Sequence, residues 1–185
     1  LEDIYNFEDA LLVGSMLITF LRHCDRIKIA CLAQLVNVIA PIFTQTGGGI
    51  FAQTIFYPFE HLSNFGRGVA LNPIISSPKY DCKAYTDVPF LESIATFDEE
   101  NEEMTVFCVN KSMNEGMTLD VNLLDFDGYK PFEFISMDGY DKNDVNSFEN
   151  PFVKPHNNPL PEFDDKTLTA QIKPFSWNVI RLKKM

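Results

Sequence analysis

The chain has 185 residues, of which 45% are hydrophobic, and it carries a formal net charge of −11 at pH 7. A chain of this length and composition can bury a sizeable core, either in one domain or in parts of two. Its acidic residues are scattered and its few basic residues form no basic stripe, which argues against binding to a phosphate backbone. We therefore expect no nucleic-acid partner.

The cysteine pattern argues against a metal site. The four cysteines form no CxxC pair and have no histidine at metal-ligand spacing; they are Cys24, Cys31, Cys82 and Cys108. We predict that they are buried free thiols and that the chain uses no metal or cofactor, although four cysteines can formally pair in about three ways. Free thiols favour a reducing compartment, so we expect a cytoplasmic protein.

The start of the chain suggests a piece of something longer. It opens at Leu1 with neither a methionine nor a charged leader segment. The longest early apolar stretch, residues 10–21, is interrupted by Gly14 and Ser15 and falls short of the ~20 residues that span a bilayer. We expect no membrane partner.

The first third of the chain reads as α/β structure. Residues 7–23 predict a helix, because Glu8 and Asp9 suit the first turn and apolar residues then cover most of the surface. Residues 27–33 form a nearly continuous apolar run with β-branched members, typical of a strand buried on both faces. Helix, short break and buried strand make one α/β unit.

A long loop and a second helix follow. Residues 35–52 contain Pro41 and three consecutive glycines at 47–49, and loops of this length are often functional. Residues 53–65 predict a helix with Pro58 in its early turns or at a kink, closed by Gly66-Arg67-Gly68, where glycine can take a left-handed cap.

From residue 69 onward the pattern is that of antiparallel β structure. Short runs rich in β-branched and aromatic residues alternate with turn clusters, at residues 91–96, 104–109, 119–123, 132–135, 168–172 and 177–182. Such spacing is typical of a β-sandwich, with residues 143–161 as a long surface loop. We place a domain boundary near Gly68, giving an α/β part at 1–68 and a β-sandwich at 69–185. One strand and two helices cannot cover their own apolar surface, so the first part requires strands from elsewhere.

Several patterns resemble functional motifs but favour simpler interpretations. The acidic residues 98–103 offer paired carboxylates, but a hairpin tip cannot hold them in a cleft, and we interpret them as a solvated turn. Residues 138–144 lack the last glutamate of a calcium loop and predict an ordinary turn. The triple glycine lacks the Gly-Lys-Ser/Thr ending of a phosphate loop, and the three histidines are too dispersed for a catalytic set.

Gln34 is the strongest candidate for a binding residue. It interrupts the apolar run where the predicted strand would leave a parallel sheet, the edge at which ligands bind in α/β sheets and barrels. Its amide can donate and accept, which suits a sugar hydroxyl, but the alternative is a buried amide bonded to backbone. Asn37 has the same ambiguity, and its position at a loop start favours local backbone hydrogen bonds.

Six segments together resemble glycoside hydrolase family 51. They are FEDALLVG at residues 7–14, ACLAQLVNVIAPI at 30–42, QTIFYPF at 53–59, GRGVAL at 66–71, SPKYD at 77–81 and SWNVIRL at 176–182. The resemblance runs through essentially the whole chain, densely up to about residue 110 and at the C-terminus.

The resemblance implies the C-terminal portion of a retaining, exo-acting α-L-arabinofuranosidase. Such proteins have a (β/α)8 barrel followed by a jelly-roll-like sandwich, and they use an acid/base glutamate and a nucleophile glutamate about 5 Å apart. The Glu-Trp-Asn motif of the nucleophile is absent here, so both glutamates are expected upstream and the chain alone is expected to be inert. Gln34 matches the glutamine of the eighth barrel strand that hydrogen-bonds the arabinofuranosyl group.

The resemblance has one departure and leaves two other roles open. Many relatives carry Trp-Arg where this chain has Phe51 and Ala52, which puts the contacts of that loop in doubt. The expected partners are arabinofuranosyl oligosaccharides, the rest of the barrel and, as the resemblance implies, further copies of the protein. As alternatives, the sandwich acts as a carbohydrate-binding module or as an oligomer interface.

Overall fold

The structure is a computed structural model that describes residues 3–185; residues 1–2 of the first predicted domain lie outside the described residues. Within these described residues, two helices accompany thirteen strands. The helices are α1 (Phe7–Arg22) and α2 (Phe56–Phe65). The strands are β1 (Ile42–Thr44), β2 (Ile50–Ala52), β3 (Val69–Leu71), β4 (Lys79–Tyr80), β5 (Val88–Pro89), β6 (Leu91–Asp98), β7 (Glu103–Asn110), β8 (Met117–Asn122), β9 (Tyr129–Met137), β10 (His156–Asn157), β11 (Glu162–Asp164), β12 (Thr167–Ile172) and β13 (Ser176–Lys184).

Helix α1 begins where the sequence predicts. The side chain of Asn6 accepts a hydrogen bond from the backbone N–H of Asp9 at 3.0 Å, and the Asp9 carboxylate accepts one from the N–H of Asn6 at 2.9 Å. This reciprocal capping satisfies two backbone donors that the first helical turn leaves without partners. Within residues 3–185 no helix is long and apolar enough to cross a membrane.

The strands form two main antiparallel sheets. One has six strands in the order β10-β9-β13-β7-β6-β3, and the other has three in the order β11-β12-β8. One apolar core lies between the sheets, and a second lies between the six-stranded sheet and the two helices. Successive residues of β13 pack in opposite cores. Val179 packs in the second core, and Ile180 packs in the first. The central strands are therefore buried on both faces, because side chains alternate along a strand.

The prediction of antiparallel β structure after residue 69 is confirmed. All six predicted runs fall on strands of the two main sheets, and only the run 119–123 extends past its strand, by one residue. Strands β6 and β7 pair from Leu91 with Asn110 to Asp98 with Glu103, so the acidic residues between them form a hairpin tip as predicted. Residues 143–161 form a long loop in which β10 is a two-residue edge strand.

The predicted strand at residues 27–33 is not formed in this structure. The segment has no strand assignment and is largely exposed, with Ile29 81% exposed. A parallel strand is held by hydrogen bonds to its neighbours, and residues 3–185 place no strand beside this segment. Its membership of a barrel stays a prediction.

The second helix and its surroundings differ in detail from the prediction. Helix α2 begins at Phe56 rather than Gln53, and Pro58 lies in its first turn. Of the two glycines that close the helix, the C-cap residue Gly66 has φ −82°, and Gly68 is the one in the left-handed region. Gly68 has φ +80°, and a Cβ there would lie 2.0 Å from the carbonyl oxygen of Phe97, so the chain can enter β3 only with glycine.

Candidate functional site

Gln34 is accessible, as a ligand-binding residue must be. Its side chain is exposed, and its amide forms no hydrogen bond within the part of the chain that the structure describes. In this structure the amide is therefore neither buried nor bonded to backbone, and the sugar-binding role of Gln34 stays a prediction. Two residues later, Val36 forms an isolated parallel bridge with Ile42, which closes the loop that follows Gln34.

Asn37 has a structural role. Its Oδ1 accepts a hydrogen bond from the backbone N–H of Thr44 at 2.8 Å, and its Nδ2 donates to the Thr44 hydroxyl at 3.0 Å. Its own backbone N–H donates to the carbonyl of Ile42 at 2.8 Å. Asn37 adopts φ 61°, a left-handed conformation that asparagine tolerates better than most residues. The local hydrogen bonds that its position favoured are formed.

Residues 42–52 form a hairpin that the sequence did not indicate. Strands β1 and β2 pair with Phe43 opposite Phe51, and the three glycines lie at the turn. Gly47 has φ +68°, and the N–H of Gly48 donates to the carbonyl of Gln45 at 2.9 Å. The glycines therefore serve the hairpin turn, whereas a phosphate loop would place them at the start of a helix.

Gln53 joins the base of this hairpin to the start of α1. Its side chain is 1% exposed. Its Oε1 accepts from the N–H of Tyr5 at 2.9 Å, and its Nε2 donates to the carbonyl of Ala40 at 2.9 Å. Next to it, the Thr54 hydroxyl donates to the carbonyl of Asn6 at 2.5 Å. These two residues fix the loop that follows Gln34 against the first helix.

Phe51, one of the two departures from the family pattern, packs inside an aromatic cluster. Its ring is stacked on Phe43 with centroids 5.5 Å apart and meets Phe148 edge to face at 4.7 Å. The carbonyl of Ala52 accepts a hydrogen bond from Asn146 Nδ2 at 3.0 Å. The loop around these two residues is thus packed against residues 146–148 of the predicted sandwich domain.

An open groove with a volume of about 460 Å³ lies over this cluster. We call it the aromatic groove; its lining includes Asn37, Val38, Phe43, Thr44, Gln45, Phe51, Asn146, Phe148 and Glu149. It begins three residues after Gln34 and continues onto the 145–149 loop. Sequence reasoning missed Asn146 and Phe148, because only the folded chain brings this loop to the hairpin.

The two acidic candidates are turns, as predicted. In the tip after β6, Asp98 accepts hydrogen bonds from the side chain and backbone of Asn101 and from the backbone of Glu100, and these bonds lower the pKa of its carboxyl. In the 138–144 stretch, Asp141 Oδ1 accepts from the N–H of Asn143 at 2.9 Å, and Asp144 Oδ2 accepts from the N–H of Asp141 at 2.7 Å. These carboxylates therefore accept hydrogen bonds from residues of their own turns.

The cysteines and histidines lie in separate surroundings, although His156 Nε2 is 3.3 Å from Ser136 Oγ and 3.4 Å from Asp138 Oδ2. All four cysteines are free, but only Cys108 is buried, so the predicted burial is wrong for the others, which lie in exposed segments. Burial raises the pKa of the Cys108 thiol to about 12. Of the histidines, His61 is buried and His156 is exposed. Within residues 3–185 no group of three or more His, Cys, Asp or Glu side chains is placed to hold a metal ion.

Residues 1–176 match the model of the "Alpha-L-arabinofuranosidase C-terminal domain". The chain belongs to the α-L-arabinofuranosidase family. It is 53% identical over 184 residues to the intracellular exo-α-(1→5)-L-arabinofuranosidase 1 of Bacillus subtilis (strain 168), and 54% identical to the corresponding protein of Halalkalibacterium halodurans. A family 51 α-L-arabinofuranosidase structure from Bifidobacterium longum is similar to it with a TM-score of 0.88 and 37% identity, over 98% of this chain and 36% of that one.

The chain corresponds to the C-terminal part of family 51 α-L-arabinofuranosidases. Each of the two sequence relatives is matched by 100% of this chain but over only 37% of its own length. The family resemblance seen in the sequence is therefore confirmed.

Proposed function

We propose that this chain is the C-terminal portion of a retaining exo-α-L-arabinofuranosidase that removes terminal α-L-arabinofuranosyl groups from arabinan- or arabinoxylan-type oligosaccharides. Residues 1–68 supply the end of a (β/α)8 catalytic barrel, with residues 27–33 as its eighth strand, and residues 69–185 supply a jelly-roll-like sandwich. The observation that carries the proposal is the 53% identity along the whole chain to an enzyme named for α-(1→5) specificity. The relatives' names also support a cytoplasmic location.

The exposed apolar surface of the first part supports the barrel proposal. Side chains that a folded domain would cover are instead open, among them Ile29 at 81%, Leu35 at 65% and Leu12 at 57% exposure. They lie on the strand-like segment, just after it and on α1. A large exposed apolar surface marks an interaction site, and neighbouring barrel elements of the longer protein would cover it.

Gln34 would then act at the carboxyl end of the eighth strand. Barrel enzymes build their active sites at that end of the strands. Its free amide can donate to and accept from hydroxyl groups of the arabinofuranosyl ring. It would orient the sugar, while the acid/base and nucleophile glutamates of the remaining barrel carry out bond cleavage.

The first test is hydrolysis of p-nitrophenyl α-L-arabinofuranoside. The purified 185-residue chain should release no nitrophenol above a blank, because it lacks the acid/base glutamate and the nucleophile glutamate. Adding the remaining segment of the Bacillus subtilis relative should restore hydrolysis. Activity of the chain alone, or no activity with the added segment when both parts are folded and associated, would contradict the proposal.

A second test addresses Gln34 in the restored enzyme. Gln34→Ala should lower kcat/KM by about 10–100-fold, the cost of losing one or two hydrogen bonds to the sugar in the transition state. Gln171→Ala, which changes an exposed glutamine of the sandwich, is the matched control and should leave kcat/KM unchanged.

We also propose that the longer protein self-associates, as the family resemblance implies. Size-exclusion chromatography with light scattering on the restored enzyme would measure its mass directly. A single copy of each part at all concentrations would contradict this part of the proposal.

A further inference from the structure

A cluster of polar side chains joins the end of strand β9 to the edge strand β10. Ser136 lies on β9, Asp138 follows it by two residues, and His156 begins β10, where it pairs directly with Ser136. We call these three residues the β9–β10 cluster. Ser136 and His156 are 20 residues apart along the chain, so no local spacing in the sequence indicates that they meet.

The functional atoms of the cluster face one another. His156 Nε2 lies 3.3 Å from Ser136 Oγ and 3.4 Å from Asp138 Oδ2, and the Ser136 hydroxyl donates a hydrogen bond to Asp138 Oδ2. Ser136 is 1% exposed, and the side chains of Asp138 and His156 are 10% and 45% exposed. The cluster therefore has a buried oxygen base and is open to solvent on the histidine side.

The arrangement does not fit a hydrolytic triad. In a triad the imidazole lies between its partners, with one ring nitrogen on the serine and the other on the carboxylate. Here the same nitrogen, His156 Nε2, faces both Ser136 Oγ and Asp138 Oδ2. The serine is also buried, so a substrate could not reach its hydroxyl.

The cluster does fit a cation, because its acceptor atoms converge. The single hydroxyl proton of Ser136 goes to Asp138, and one lone pair of its oxygen accepts from Asn158 Nδ2 at 2.8 Å. The other lone pair, a carboxylate oxygen and a ring nitrogen then meet at one point. Acceptors that converge in this way need a positive charge between them, supplied by a proton on the nitrogen or by a metal ion.

The distances suit a metal ion. Zn²⁺ binds imidazole nitrogen and carboxylate oxygen at about 2.0–2.2 Å in tetrahedral geometry, which places two ligand atoms about 3.4 Å apart. The separation of His156 Nε2 from Asp138 Oδ2 is 3.4 Å, and its separation from Ser136 Oγ is 3.3 Å. One ion can therefore contact both side chains that face His156 with little movement.

A neighbouring buried oxygen supports a ligand at this place. Asn178 lies directly opposite Ser136 in the pairing of β13 with β9, so both side chains leave the same face of the sheet. Asn178 is 1% exposed, and its Nδ2 donates to Ser176 Oγ at 2.9 Å. Its Oδ1 is buried and has no hydrogen-bond partner within residues 3–185. Buried polar atoms are normally satisfied, and a water bound to an ion would supply the missing donor.

We propose that the β9–β10 cluster binds a divalent transition-metal ion of the Zn²⁺ type. The ligands are His156 Nε2, Asp138 Oδ2 and Ser136 Oγ, and water completes the coordination shell. An imidazole ligand favours Zn²⁺ over Ca²⁺ and Mg²⁺, which prefer oxygen atoms alone. From the sequence we expected no metal, because only the pairing of β9 with β10 brings these ligands together.

The role of the ion would be structural. Asp138 and His156 lie at the two ends of a long loop, and β10 is held to β9 through only two residue pairs. Within that loop, Asn146 donates to the carbonyl of Ala52 in the hairpin. An ion that closes the loop would therefore stabilise the contact between the sandwich and the hairpin. This site goes beyond the proposed hydrolase activity and does not depend on it.

The test is a calorimetric titration of the untagged 185-residue chain with Zn²⁺. The three exposed cysteines, Cys24, Cys31 and Cys82, are first replaced by serine, because exposed thiols bind Zn²⁺ themselves. We expect one ion per chain with a micromolar dissociation constant. Co²⁺ in place of Zn²⁺ should give the visible absorption bands of a tetrahedral site.

Variants of the two strongest ligands locate the ion. His156→Gln and Asp138→Asn should each weaken binding by at least about tenfold, because each removes a ligand while nearly keeping its size. His23→Gln is the matched control, since His23 contacts Arg26 outside the cluster, and it should bind as the parent chain does. A saturating Zn²⁺ concentration should raise the melting temperature of the parent and the control by about 5 °C, and that of the two ligand variants by much less.

Thermal melting in EDTA shows whether each variant is folded before Zn²⁺ is added. If Asp138→Asn is not folded, the comparison is made with His156→Gln, whose side chain is partly exposed. Absence of one-to-one binding in the parent chain would overturn the proposal. Equal binding by the ligand variants and the control, or binding that only His23→Gln removes, would do the same, because the ion would then lie elsewhere.

Discussion

At the scale of single residues, a buried hydrogen bond joins Trp177 to His61. The indole Nε1 donates to His61 Nδ1 at 3.0 Å, and the Trp177 side chain is fully buried with its ring stacked on Phe107 at 5.9 Å. His61 must be neutral to accept this bond at Nδ1. Burial lowers its pKa from 6.5 to about 4.

The pH dependence of stability should reflect this histidine. The unfolded chain takes up a proton below about pH 6.5, whereas the folded chain stays neutral at His61 until about pH 4. The contribution of His61 is therefore fully present above pH 6.5 and is lost as the pH falls to about 4, by about 3 kcal/mol in total. Urea unfolding at pH 7, 5.5 and 4.5 measures it.

The control for this prediction is His61→Gln, which keeps a side-chain acceptor and does not titrate. Carboxylates contribute equally in both proteins. The difference between their two curves of unfolding free energy against pH therefore gives the contribution of His61 alone. Parallel curves between pH 6.5 and 4.5 would contradict the prediction.

Gly14 leaves room for the same indole ring. A Cβ at residue 14 would lie 2.7 Å from Trp177 Cε3, closer than real side chains approach. Gly14→Ala should destabilise the fold by about 1–3 kcal/mol despite the better helix propensity of alanine, because the buried ring must move. Gly49→Ala, whose Cβ would meet Phe148 at an ordinary 3.8 Å, is the control and should change the melting temperature little.

The role of a single residue could be predicted where its side-chain chemistry and its position in the sequence indicate the same contact. The local hydrogen bonds of Asn37 follow from its loop-start position. The role of His61 does not, because its partner Trp177 is 116 residues away in sequence and no local pattern relates them. The same holds for Phe148 in the aromatic groove.

At the scale of elements, the sequence predicted helix α1 and the long strands, because each has a clear periodicity and paired partners within the chain. The segment 27–33 has an equally clear strand pattern but no neighbour within residues 3–185. The β1–β2 hairpin was not predicted, because each of its strands has only three residues, which is too short to show a periodic pattern. Pairing decides whether a strand pattern becomes a strand.

Gln53 adds side-chain hydrogen bonds to the short ladder that holds the hairpin. Gln53→Ala would leave the N–H of Tyr5 and the carbonyl of Ala40 without partners in a buried site. We expect a loss of about 2–3 kcal/mol in unfolding free energy, measured by urea denaturation. Gln171→Ala removes exposed hydrogen bonds to Thr118 and should cost no more than about 0.5 kcal/mol.

At the scale of the whole molecule, the six-stranded sheet separates two cores and explains why its strands read as continuously apolar. The predicted sandwich needed only local patterns, so its existence could be inferred from sequence. The second core, between that sheet and helices α1 and α2, could not, because it joins residues from the two predicted domains. The exposure of the segment around Ile29 could not be predicted either, because its local pattern is that of a buried strand.

Ile29 offers a test of the whole assembly. Because this side chain is 81% exposed, Ile29→Lys should change the unfolding free energy of the 185-residue chain by no more than about 0.5 kcal/mol. If residues 27–33 become a buried barrel strand with the remaining segment of the relative, the lysine must be buried without a partner, which is strongly unfavourable. Restored arabinofuranosidase activity should then fall by at least about tenfold at limiting protein concentration.

Tyr85→Lys, which places the same charge at a comparably exposed aromatic position on the sandwich, should leave both stability and restored activity unchanged. Full activity with Ile29→Lys would mean that this segment remains at the surface of the assembled enzyme, and the eighth strand would have to be sought elsewhere.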